Sequence, residues 1–205
     1  MNARPRRGGG GAGQVRIIGG RWRGTRLPVP DLPGLRPTSD RVRETLFNWL
    51  QPVLPGARVL DLFAGSGALG LEAVSRGAAF AQLVEADPGL ATALAATAAR
   101  LGAGDAVAVQ RGDALAWMAA SNERFDVAFV DPPFAAGLWD RVISMLPRLL
   151  AADAWLYLET PLGEAPALPA EWHVRREGTT RDVRYALYRR GTLDATSTSG
   201  DLRTT

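Results

Sequence analysis

Arg58-Val59-Leu60-Asp61-Leu62-Phe63-Ala64-Gly65-Ser66-Gly67-Ala68-Leu69-Gly70 decides the fold. Arg58 to Leu62 is a short apolar run and reads as a buried strand, whereas Ala68 to Arg76 reads as a helix. A carboxylate and a glycine turn lie between them. The same alternation then repeats downstream. Phe80 to Glu85 is the next strand, Pro88 to Leu101 a long alanine-rich helix, Ala106 to Gln110 a third strand and Ala114 to Ala120 a helix. Phe125 to Val130 follows as strand, Trp139 to Leu150 as amphipathic helix and Ala154 to Glu159 as the fifth strand. Strands apolar on both faces and separated by helices form a parallel sheet covered on both sides. Trp172 to Arg176 and Val183 to Arg189, joined through Glu177-Gly178-Thr179-Thr180, read instead as an antiparallel hairpin. The expected fold class is α/β and Rossmann-like, with a mostly parallel seven-stranded sheet ending in that hairpin.

Upstream, Val15 to Val29 holds short strand-like runs split by Gly19-Gly20 and Gly24, the pattern of a small hairpin. Pro28, Pro30, Pro33 and Pro37 mark an irregular connection. Thr38, Ser39 and Asp40 are good helix caps, and Val42, Leu46, Trp49 and Leu50 follow at helical spacing. A helix from about Ser39 to Leu50 is expected, with Arg41, Glu44 and Asn48 on another face. The chain thus divides into an Arg/Gly-rich tail over 1–13 expected to be disordered, a hairpin and helix over 14–55, the α/β domain over 56–190, and a polar tail over 191–205.

At 205 residues, 46% hydrophobic and 22% charged, the chain has the composition of a soluble globular protein with one substantial core. No apolar run approaches the roughly 20 residues that span a bilayer. The basic N-terminus leads into glycine rather than an apolar segment, so it is not a secretory signal. There is no cysteine, which excludes disulfides, thiolate metal sites and a Cys nucleophile, and fits a reducing cytoplasm. The net charge of +3 is unevenly spread: ten arginines fall within residues 1–43 against Asp31 and Asp40. All 24 basic residues are arginine, which is compositional drift, but drift does not explain their crowding at one end. That crowding points to a polyanionic partner, with Arg21, Arg23 and Arg26 of the hairpin among its candidate contacts.

Ligands of open α/β sheets bind beyond the carboxyl ends of the strands. Gly65-Ser66-Gly67-Ala68-Leu69-Gly70 matches GxGxxG, and Glu85 lies twenty residues after Gly65, which is also a dinucleotide fingerprint. Asp61 argues against a dinucleotide, because a pyrophosphate in that turn would meet an uncompensated anion. S-adenosylmethionine instead brings an ammonium and a sulfonium, for which a carboxylate is favourable. Gly65, Ser66 and Gly67 let backbone amides approach a carboxylate, Glu85 suits two ribose hydroxyls, and Asp113 suits an adenine amino group. Asp113 equally suits the cap of the helix at Ala114, and Asp87 the cap of the helix at Pro88.

Asp131-Pro132-Pro133-Phe134 ends the fourth strand. The prolines lack amide hydrogens, so the turn presents carbonyls without competing donors. An amine can donate one hydrogen to Asp131 and another to a turn carbonyl, that of Pro132. Its lone pair is thereby released from the ring, and Phe134 gives the base a face on which to stack. Neither a nucleophile nor a metal is required. With the first turn, this predicts methyl transfer from S-adenosylmethionine onto an exocyclic nitrogen, on the class I methyltransferase version of the Rossmann-like fold.

On Arg16-Ile17-Ile18-Gly19-Gly20, Arg36-Pro37-Thr38-Ser39-Asp40-Arg41-Val42-Arg43-Glu44, the Asp61 to Gly67 turn and Asp131 to Phe134, the chain resembles the RsmD family of 16S rRNA guanine-N2 methyltransferases, over roughly Val15 to Arg189. The resemblance implies a guanine of 16S rRNA as target, on the small ribosomal subunit or its late assembly intermediate. It implies that Asp61, Gly65, Gly67, Glu85 and Asp113 hold the cofactor, that Asp131 and Phe134 hold the base, and that Arg36, Thr38 and Arg41 lie near the mouth of the site. A cytoplasmic monomer is expected. Glu177 before Gly178 departs from a family in which an aromatic is frequent there. The rival enzymes are a DNA adenine-N6 methyltransferase, which usually carries Asn and Tyr around the prolines and needs a larger recognition domain, and a protein glutamine methyltransferase, which the arginine cluster disfavours. A different class is an RNA-binding assembly factor without turnover.

Overall fold

The computed structural model describes residues 14–28, 39–132 and 138–191. The two expected tails lie outside the described residues, apart from Gly191. Strands β1 (Gln14–Arg16) and β2 (Arg26–Pro28) pair antiparallel. Helix α1 (Asp40–Leu50) starts at the expected cap, Ser39, whose hydroxyl accepts the Val42 N–H at 3.3 Å. The α/β body runs β3 (Arg58–Asp61), α2 (Ala68–Ser75), β4 (Phe80–Glu85), α3 (Pro88–Arg100), β5 (Val107–Arg111), α4 (Ala114–Ala120), β6 (Phe125–Val130), α5 (Leu138–Leu149) and β7 (Leu150–Pro161). It closes with β8 (Trp172–Thr179) and β9 (Val183–Arg190).

Seven strands form one sheet in the order β5-β4-β3-β6-β7-β9-β8. The first five in that order are parallel, and β9 runs antiparallel to both β7 and β8. Period-two alternation sorts the strand side chains between two apolar clusters. Val59, Leu83, Phe129 and Tyr157 pack under α1, α2 and α3, whereas Leu60, Val84, Ala128 and Leu158 pack under α4 and α5. The chain leaves β3 in one direction and returns to its other side at β6. That reversal is the topological switch point, where such sheets open a crevice.

The N-terminal hairpin shares the core of this body. Val15, Ile17 and Leu27 are buried in the α1–α3 cluster. Its backbone is tied to α2 through Glu72, which accepts the Ile18 N–H at 2.6 Å, the Gly19 N–H at 2.8 Å and Arg76 Nε at 2.6 Å. Ser75 donates to the Gly19 carbonyl and accepts the Trp22 N–H. Arg43, fully buried on α1, donates to the Arg16 carbonyl at 2.8 Å and to Asp40 at 2.6 Å, and stands 3.7 Å from Glu72. A buried carboxylate is tolerable only with such partners, and removing one side of a buried pair costs about 3–5 kcal/mol.

Most element ends fall within two residues of expectation, and two differ by more. Strand β7 begins at Leu150, not Ala154, because Leu150 already pairs with Phe125 across a register shift. The last hairpin does not turn at Glu177 to Thr180. Gly178 lies within β8 opposite Tyr185, and a Cβ there would fall on the Tyr185 ring. That glycine marks a close approach, and the turn comes later, where Thr180 Oγ1 accepts the Val183 N–H at 3.1 Å.

Candidate active site

The carboxyl ends of β3, β4, β6 and β7 gather acidic side chains at the switch point. Asp61 ends β3 and is 3% exposed. Its Oδ2 accepts the Gly70 N–H, in the first turn of α2, at 2.9 Å. Burial pushes its carboxyl up to about 7; the Gly70 amide partly offsets this, and Glu85 adds to the rise. Glu85 ends β4 and clamps two loops: Oε2 accepts the Gly65 N–H at 2.7 Å and Oε1 the Asp87 N–H at 2.7 Å. Each of its oxygens retains a second lone pair for a hydroxyl donor.

Asp131 follows the last residue of β6, directly beyond Val130, and Pro132 after it is buried. Burial first, then Glu159, then Asp61 hold the Asp131 carboxyl well above the ordinary carboxylate range. Asp61 and Phe129 are register partners on adjacent parallel strands, so Asp61 and Asp131 flank the crevice from its two sides. The structure brings Asp61, Gly65, Ser66, Gly67, Glu85 and Asp131 together at one sheet edge. Asp113 lies at the same edge beyond β5, where Oδ1 caps α4 by accepting the Ala116 N–H at 2.8 Å. Asp87 caps α3 in the same way through Leu90.

Phe134, Arg36 and Thr38 lie outside the described residues. Arg21, Arg23, Arg26 and Arg41 are exposed, Arg21 with its guanidinium 4.2 Å over the Trp22 ring. A groove between β2 and α3, lined by Arg26, Pro28, Ala93, Thr97 and Arg100, continues past Pro28 to Gly65 and Ser66. Among the described residues, no group of three or more His, Cys, Asp and Glu side chains is placed to hold a metal, and no helix is long and apolar enough to cross a membrane. Sequence reasoning passed over Glu159 and Tyr157. Both end up buried beside Asp131, with Tyr157 Oη donating to Glu159 Oε2 at 2.9 Å.

Gly67 supplies the conformation on which the first turn depends. It caps α2 at φ +76°, a region that residues with a Cβ rarely adopt, and an added Cβ would strike Leu94 Cδ1. Gly67→Ala is therefore expected to lower the melting temperature and weaken S-adenosylmethionine binding by about tenfold or more, on strain of order 1–2 kcal/mol. Calorimetric titration alongside a thermal melt checks this; an unchanged affinity contradicts the turn's assigned role.

A Rossmann-like sheet whose first turn pairs a buried acid with glycines, and whose last strands turn antiparallel, has the fold of the class I S-adenosylmethionine-dependent methyltransferases. A family model described as "Conserved hypothetical protein 95" matches residues 15–189. The chain belongs to this family, the RsmD family indicated by its motifs. It is 50% identical over 183 residues to the Escherichia coli (strain K12) "Ribosomal RNA small subunit methyltransferase D", covering 88% of this chain and 92% of that protein. The Haemophilus influenzae protein of the same name is 42% identical over 181 residues, covering 86% and 94%. A solved Escherichia coli structure described as a methyltransferase superposes with a TM-score of 0.80 at 46% identity, covering 88% of this chain and 99% of that one.

Proposed function

We propose that this protein transfers a methyl group from S-adenosylmethionine to the exocyclic N2 of a guanine in 16S rRNA, on the small ribosomal subunit or a late assembly intermediate. The observation that carries the reading is the pair of acids, buried Asp61 and half-buried Asp131, at neighbouring strand tips on either side of the switch point. Burial raises both carboxyls, Glu85 adds to the rise at Asp61, and Glu159 and Asp61 add to it at Asp131; a cationic ligand is favoured there because it restores the ionised forms. That chemistry fits the donor. Asp61, Gly65, Ser66, Gly67, Glu85 and Asp113 would hold it, and when bound it supplies an electrophilic methyl group.

The chain's own residues do the rest. Asp131 accepts one N–H of the guanine amine and the Pro132 carbonyl the other, drawing the nitrogen towards tetrahedral geometry with its lone pair free. Positive charge then develops on that nitrogen beside a carboxylate in a largely dry site, the arrangement that stabilises such a transition state. Alignment of two held reactants contributes most of the acceleration. Phe134 offers a stacking face for the unstacked base. Residues 14–55 serve as the recognition element, with Arg21, Arg23, Arg26, Arg36, Thr38 and Arg41 on RNA phosphates and sugars. The names of the Escherichia coli and Haemophilus influenzae relatives support this choice of substrate. The protein acts as a cytoplasmic monomer.

Tritium transfer from labelled S-adenosylmethionine to small subunits purified from cells lacking this protein tests the proposal. Label in 16S rRNA is expected. Binding to subunits without any label would favour the assembly-factor alternative.

A further inference from the structure

Glu159 stands two residues before the end of β7, and no step above uses it. Its side chain is buried, and its Oε2 accepts the hydroxyl of Tyr157 at 2.9 Å. Tyr157 is fully buried and meets Phe129 edge-on, with ring centroids 6.2 Å apart. Phe129 and Tyr157 are register partners on β6 and β7. Two residues further along each strand, Asp131 and Glu159 come level on that same face, on strands roughly 4.8 Å apart. Among the described residues, the titratable groups around them include Asp61 from β3, Tyr157 from β7 itself and Tyr185 of β9, the register partner of Glu159. Tyr185 is in turn stacked on Trp49 of α1 at 5.7 Å.

We propose that Asp131 and Glu159 act as one proton-sharing pair that takes the proton shed by the methylated amine, with Tyr157 fixing Glu159 so that it works through Asp131. This rests on the reading of Asp131 as acceptor of the guanine amine. As the amine lone pair forms the new N–C bond, the C–S electron pair leaves with the sulfur. The nitrogen then carries a positive charge and one proton too many. The N–H electron pair stays on nitrogen, and the proton passes to the Asp131 carboxylate. Glu159 shares it until product leaves, when it returns to water through Asp131, the more exposed of the two. Burial and, after it, the charge of Glu159 raise the basicity of Asp131, which suits a proton acceptor. Glu159 is thus a positioning residue, and its substitution should move the pH dependence, which a merely structural role would not do.

The test is single-turnover methyl transfer by the full-length protein to small subunits lacking the modification, followed across pH. In Glu159→Gln the acid limb of the rate should move to lower pH, because the neighbouring charge no longer raises Asp131. The plateau rate should fall by about tenfold or more with KM for subunits unchanged. Tyr157→Phe keeps the ring, removes the hydrogen bond and should move the same limb, so it carries the comparison if Glu159→Gln fails to fold. Calorimetry of S-adenosylmethionine binding in two buffers of different ionisation enthalpy gives a readout independent of transfer. The wild type should release protons as the cation arrives, and Glu159→Gln should release fewer. A slower variant with an unchanged acid limb, or an unchanged proton count, overturns the pair. A wild type that labels no rRNA but shows the difference in proton release overturns the substrate reading and leaves the pair standing.

Discussion

Asp131→Ala is expected to lose methyl transfer by about 10²- to 10³-fold while its Kd for S-adenosylmethionine stays within about threefold of the wild type, the loss that follows when one preorganised electrostatic partner of the transition state is removed. The split arises from position. Asp131 lies beyond β6, on the far side of the switch point from the glycine turn, whereas the donor side is built by Asp61, Glu85 and the turn itself. The bonds that hold the donor side, Glu85 to the Gly65 N–H and Asp61 to the Gly70 N–H, do not involve Asp131, so that side of the crevice keeps its geometry. Single-turnover transfer and calorimetric titration on the same preparation separate the two effects. Full activity in the variant would remove Asp131 from the mechanism.

Asp61→Asn should produce the opposite pairing, loss of donor binding together with a more stable protein at alkaline pH. The Asp61 carboxyl is raised from 3.8 to about 7 in the folded chain. A folded-state value above the unfolded one means that the stabilising contribution is fully present below the unfolded value and disappears as pH rises through the folded one. Without donor, wild-type stability should therefore fall between about pH 4 and about pH 7 and level off above that, by up to an order-of-magnitude figure of 4 kcal/mol from this group. An amide keeps an acceptor for the Gly70 N–H but carries no charge to desolvate. Denaturant unfolding of both proteins at the two pH values checks this. A variant as steeply pH-dependent as the wild type would mean that the strain lies elsewhere.

The strand-helix alternation and most of the donor side were legible in the sequence because they rest on local signals. Phe80–Glu85, Ala114–Ala120 and Phe125–Val130 were read to the residue, since apolar runs there end at unambiguous turns or caps. Asp61 and Asp131 were legible as acids closing apolar strands. Glu159 carries the same signal, an acid at the end of Trp155-Leu156-Tyr157-Leu158, yet its importance depends on β7 lying next to β6, which no local pattern states. Arg43 shows the same limit. In sequence it belongs to an arginine-rich signature, and only the docking of the hairpin on α2 makes it a buried partner of Glu72. Gly178 misled for a physical reason, since glycine serves both tight turns and close approaches, and here the Tyr185 ring needs the space. The cap at Asp113 was one of two readings open for that residue, and the observed bond to Ala116 realises it.

The proposed function requires the two acid-tipped strands to hold a sulfonium donor and a guanine amine for direct transfer. Mass mapping of 16S rRNA from cells with and without this protein tests it most directly. One guanine carrying a methyl group on N2 is expected in the first population and the same nucleotide bare in the second. Identical small-subunit rRNA in both populations, or a difference only at an adenine or a ribose, would contradict it.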